Sequence, residues 1–159
     1  RGVRGINHTI DARPGGDVDR VMKHPQTCIA SDGGVFRFGE GNPHPRSYGC
    51  YPRVLGRYVR DRGLLTLEQA IHKMTGLPAR RLGWKDRGLV RPGFQADLAV
   101  LDTKEISDKA TFLAPHQHSV GVDHVLVRGR FVLKNAGMTG QLPGQPVGPG
   151  RPSQTRSTD

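Results

Sequence analysis

A change of rhythm near Gly93 constrains this chain most. Between Pro52 and Gly83 apolar residues recur at helical spacing, and after Gly93 they recur as short β-prone runs between turn glycines. In "PRVLGRYVRDRG", Val54, Leu55, Tyr58 and Val59 share a helical face, with Pro52 suited to the first turn and Gly63 to the stop. Thr66 and Gln69 have capping-box spacing ahead of the stripe Leu67, Ala70, Ile71 and Met74. "LPARRLG" predicts one more short helix, from Pro78 to Gly83. The second half predicts a strand over Asp97–Asp102, with Leu98 and Val100 partly buried. A hairpin follows in "VDHVLVRGRFVLKN", turning at Arg128–Gly129.

Upstream, Asp17 is placed to cap a short helix carrying Val18, Val21 and Met22, which Pro25 would end. "QTCIA" then predicts a short buried strand, so the pair reads as the αβ unit of an α/β fold. "SDGG" stands where that strand ends. Val35–Tyr51 predicts a long irregular connection, of a length that is uncommon in compact domains and often functional.

Asp32 has two readings. A strand-end aspartate before Gly-Gly forms an Asx-turn, its carboxylate capping nearby amides. The other reading is a metal ligand or general base at the carboxyl end of a barrel strand, where active-site groups gather. Arg46 could clamp a substrate carboxylate with paired hydrogen bonds, or be an ordinary exposed arginine in a Pro-rich loop. His44 is a pocket residue or a structural one, and Tyr48 lines a pocket or packs near a helix start. His116 and His118 have H-x-H spacing but no third ligand nearby in sequence, which favours a solvated or interfacial pair. Cys28 reads as a small hydrophobe in the strand, and Cys50 lacks the basic neighbour of an activated nucleophile.

Composition narrows the classes. The surplus of 24 Lys and Arg over 14 acidic residues gives a net charge of +10, but the basic residues are dispersed with few aromatics interleaved. That argues against a specific nucleic-acid module. Two cysteines in no paired motif suggest a reducing, cytoplasmic compartment, and no apolar span is long enough for a membrane helix. The chain has no phosphate-binding P-loop, dinucleotide fingerprint, H-E-x-x-H helix or G-x-S-x-G elbow. The start without Met suggests a chain that begins inside a longer protein. Residues 139–159 offer little to bury and predict an extended, mobile tail.

The ordered set "ASDGG", "HPRSYGCYPRVLGRYVRDRG", "LPARRLG" and "DRGLVRPGFQADLAVLD" resembles the N-acyl-D-amino-acid deacylases of the amidohydrolase superfamily, over about residues 15–140. The resemblance implies an α/β fold: residues 1–84 as the C-terminal part of a TIM barrel and 85–138 as strands of a small β-sandwich. It implies zinc-dependent hydrolysis of N-acyl-D-amino acids, with Asp32 beside the zinc centre both as metal-site carboxylate and as general base. Arg46, His44 and Tyr48 become candidate substrate-binding residues. The family's histidine and cysteine metal ligands belong to earlier barrel segments, so those segments are expected partners and the chain alone is expected to be inactive. "GCYPR" departs from the family's GTFPR by placing Cys50 where a threonine is common. A reading from another class is a non-catalytic scaffold remnant or protein-interaction module.

Overall fold

The computed structural model describes residues 13–148. A helical half is followed by a single antiparallel sheet. Helix α1 (Asp17–Lys23) is preceded by Gly16 at the N-cap, so Asp17 is its first residue and not its cap. The acid that organises this end is Asp19. Its buried carboxylate accepts from Gly15 N–H at 2.7 Å and pairs with Arg62 at 2.5 Å. That amide first, and then the guanidinium, hold the Asp19 carboxyl below the usual carboxylate range.

The expected strand at 26–30 joins no ladder among the described residues: Gln26 lies in a turn and 27–30 are irregular. A strand needs a neighbour. Here Ile29 N–H donates instead to the carbonyl of Lys73 (3.0 Å), the last turn of α3. The buried Lys73 amine reaches the same segment, donating to the carbonyls of His24 and, at 3.2 Å, Thr27. Burial pushes the pKa of this amine down. Cys28 is half-buried, less enclosed than its apolar setting predicted.

Helix α2 (Arg46–Arg53) starts well before the expected first turn at Pro52, which shortens the long connection. Pro52 therefore sits inside the helix, where it has no N–H to offer the carbonyl of Tyr48. That carbonyl accepts from Ser119 Oγ at 3.0 Å. Beyond Pro52 the helix widens into a π-helical segment, Val54–Asp61, closed by bonds such as Arg62 N–H to Arg57 O at 3.1 Å. Helix α3 (Leu67–Met74) carries the predicted capping box, with both Thr66 and Gln69 bonds formed. Helix α4 (Gly76–Arg81) begins two residues before Pro78, which the first turn tolerates.

Strands β1 (Leu98–Leu101), β2 (Val122–Val127), β3 (Arg130–Lys134) and β4 (Gly137–Met138) form one four-stranded meander in the order β1-β2-β3-β4. The β2–β3 turn has positive φ at both Arg128 (52°) and Gly129 (75°), as a two-residue type I′ hairpin requires. In β1 the alternation fails: Val100 is exposed, and the register shifts between Val100 and Leu101.

Ile106 lies in the connection between β1 and β2, is 1% exposed, and packs in one cluster with Val54, Leu55, Leu65 and Ala70. The helix surface is cut away to receive this segment. A Cβ on Gly56 would stand 2.5 Å from the Ile106 carbonyl oxygen, and one on Gly49 would stand 2.7 Å from Asp108 Cβ. Arg60 caps the carbonyls of Lys104 and Ile106, and Arg53 pairs with Asp108 at 2.7 Å. Gly56→Ala should lower stability by about 1–3 kcal/mol through overpacking against backbone, read as a fall in the urea midpoint of the complete protein; an unchanged midpoint would contradict this docking.

Candidate active site

The irregular segment 27–31 delivers Asp32 to the N-terminal end of α2. Asp32 takes φ 47°, a left-handed conformation that aspartate tolerates better than most residues. Gly33 follows against α2, where a Cβ would come within 2.9 Å of Ser47 Cα. This approach brings Asp32 Oδ2 to 2.9 Å from Arg46 Nη2. The Asp32 side chain is 77% exposed and the Arg46 side chain 26% exposed. So open a pair contributes little to stability, about 0–1 kcal/mol. Its effect is to aim the carboxylate.

The Asx-turn role falls elsewhere. Gly33 N–H donates to Ser31 Oγ at 3.3 Å, which leaves the Asp32 carboxylate to the guanidinium. One helical turn past Arg46, on the same face of α2, the Cys50 thiol donates to the carbonyl of Ala30 at 3.6 Å. Arg46 and Cys50 together hold residues 30–32 against the helix.

His44 and Arg46 both line a cavity of 760 Å³ whose walls include Val21, Ile29, Ala30 and Phe112. His44 Nδ1 accepts from Arg46 N–H at 3.1 Å, and its ring meets Phe112 edge-on at 4.9 Å. Desolvation, and then the Arg46 charge, push the His44 pKa down, favouring the neutral ring. Tyr48 points elsewhere: its hydroxyl bonds His116 Nδ1 at 2.9 Å. The H-x-H pair is thus interfacial, with His118 stacked on Phe38 at 4.8 Å between centroids. Sequence spacing could not show this meeting, because His116 is 75 residues from Gly41, whose carbonyl it bonds. The anchoring roles of Lys73 and Cys50 also escaped the sequence, since each acts on backbone carbonyls remote in the chain.

The metal expectation meets a plain limit. Among the described residues no group of three or more His, Cys, Asp or Glu side chains could hold a metal ion. Asp32 is an exposed carboxylate suited to contribute one oxygen donor, and His116 is committed to the loop it binds. These residues by themselves do not make a zinc site.

The amidohydrolase family model matches residues 4–133. The chain belongs to the amidohydrolase family. It is 46% identical over 134 residues to an N-acyl-D-aspartate deacylase of Alcaligenes xylosoxydans xylosoxydans, covering 84% of this chain and 26% of that protein. A D-aminoacylase of the same organism is 43% identical over 129 residues, covering 81% and 26%. Among solved structures, a D-aminoacylase superimposes with a TM-score of 0.73 at 45% identity, covering 79% of this chain and 26% of that one. An N-acyl-D-glutamate deacylase from Bordetella bronchiseptica, complexed with zinc and a phosphonate inhibitor, gives 0.67 at 42% identity, covering 84% and 26%. This amidohydrolase chain spans about a quarter of the length of the curated relatives it matches.

Within it, burial pushes the Cys50 thiol up, with Arg46 and Arg53 opposing. Cys50 should therefore alkylate more slowly than a free thiol at pH 7.5, measured by mass after iodoacetamide. Alkylation as fast as glutathione would contradict the placement of Cys50 against Ala30.

Proposed function

We propose that this chain is the Asp32-bearing part of a zinc-dependent N-acyl-D-amino-acid deacylase, which cleaves the amide to a carboxylate and a D-amino acid. The observation that carries this reading is the Asp32–Arg46 arrangement: an exposed carboxylate, fixed in direction, within a segment matched to deacylases. The described residues up to 84 are assigned to the end of a TIM barrel and 85–138 to strands of a small β-sandwich; residues 1–12 of the expected barrel part and 149–159 of the expected tail lie outside the described residues. The sheet β1–β4 falls within the second of these. The zinc-complexed N-acyl-D-glutamate deacylase supports the choice of metal. No helix among the described residues is long and apolar enough to cross a membrane, and Cys28 and Cys50 are both unbridged. A cytoplasmic setting accords with those free thiols.

Zinc supplies a polarised carbonyl and a more acidic water wherever it is bound in such hydrolases. The described residues offer it one carboxylate and no shell, so the other donors would come from other barrel segments. This chain's own residues handle protons and charge. Asp32 takes a proton from the attacking water as the carbon–oxygen bond forms, and gives it to the amine nitrogen as the carbon–nitrogen bond breaks. Arg46 aims that carboxylate, and its planar guanidinium can serve a substrate carboxylate in the same fork. His44, kept neutral, forms the wall beside it. Tyr48 acts from behind, through its bond to His116.

The complete protein with zinc should release D-amino acids from N-acyl-D substrates and leave the L forms nearly untouched; no D-selective hydrolysis would end the deacylase reading. Asp32→Asn should bind substrate while kcat falls about 10²–10⁴-fold. A near-parental kcat would remove Asp32 from the chemistry.

A further inference from the structure

We propose that His116 is a positioning residue that holds the substrate loop from outside the barrel, an inference that rests on the deacylase reading above. The loop between Asp32 and α2 carries His44 and leads into Arg46, yet it has little structure of its own. It is tied instead to a residue of the β1–β2 connection. His116 Nδ1 faces two donors, the Gly39 N–H at 3.1 Å and the Tyr48 hydroxyl at 2.9 Å. An amide N–H can only donate, so Nδ1 carries the lone pair and the proton sits on Nε2. That nitrogen donates to the Gly41 carbonyl at 3.1 Å. One ring thus fixes both ends of the Gly39–Gly41 turn, in which both glycines have positive φ, and joins it to the first turn of α2.

Aromatic packing completes the clasp. Phe38 stands edge-on to His116 (5.6 Å) and to Tyr48 (6.1 Å), and lies stacked on His118 (4.8 Å). Tyr48 is held a second time, through its carbonyl and Ser119. Tyr48 is two residues from Arg46 on α2, so the clasp sets where the loop that carries His44 joins the helix. A loose loop would still present Asp32, whose own segment is anchored through Lys73. The role of His116 is therefore in substrate positioning, and its loss should be felt in KM more than in kcat.

The test uses the complete protein. His116→Phe keeps an aromatic ring and removes every hydrogen bond, Tyr48→Phe removes only the hydroxyl, and His116→Asn restores an acceptor at the Nδ1 position. Hydrogen exchange at the Gly39 amide should rise about tenfold in His116→Phe and less in Tyr48→Phe, with protection partly regained in His116→Asn. KM for an N-acyl-D-amino acid should rise about five- to tenfold in His116→Phe, with kcat within about twofold of the parent. Unchanged Gly39 exchange would overturn the clasp, and faster exchange with an unchanged KM would overturn its positioning role. If the parent hydrolyses no N-acyl-D-amino acid, the deacylase reading fails on its own, and the exchange comparison still decides whether the clasp exists.

Discussion

The arrangement depends on a close backbone approach that only glycine permits. The π-helical segment and α2 present Gly56 and Gly49 to the 105–108 segment, and the Ile106 carbonyl presses where a side chain would be. Ile106 then fills the core, and burying a side chain of that size contributes about 2 kcal/mol. Arg53 and Arg60 tie the same segment down by charge and by carbonyl capping. The sheet half is thereby fixed to the helix that also carries the candidate site.

That shared helix explains how distant residues converge. One stretch of α2 faces the 30–33 segment through Arg46, Ser47 and Cys50, and faces the β1–β2 connection through Tyr48 and Gly49. Pro52 withdraws an N–H from the helix, and the Tyr48 carbonyl takes its bond from Ser119. A local break in the helical ladder thus coincides with a long-range tie. Lys73 makes a second tie, holding the turn and irregular segment that precede Asp32.

Much of this was legible where the signal is local. The Thr66 capping box, the α3 stripe and the Arg128–Gly129 hairpin depend on residues a few positions apart, and all three formed as their spacing predicts. The start of α2 was misplaced because Pro52 usually marks a first turn, and tertiary contacts with Ser119 compensate for it deeper in the helix. The strand before Asp32 could not be judged from its own residues, since a ladder belongs to two strands. Asp32 and Arg46 both stand out as candidates in the sequence, but their pairing does not: it needs the left-handed turn at Asp32 and the bare face of Gly33. His116 was invisible as a loop anchor because nothing in an H-x-H spacing names a turn so far away in sequence.

In the proposed deacylase, Asp32 and Arg46 act as one unit. A double-mutant cycle of Asp32→Asn and Arg46→Met, read in kcat/KM on an N-acyl-D-amino acid, tests it most directly. The expected coupling is about 1–3 kcal/mol, the double variant being little worse than Asp32→Asn alone. Losses that add to within about 0.5 kcal/mol would contradict it, and would mean that the 2.9 Å contact has no part in turnover.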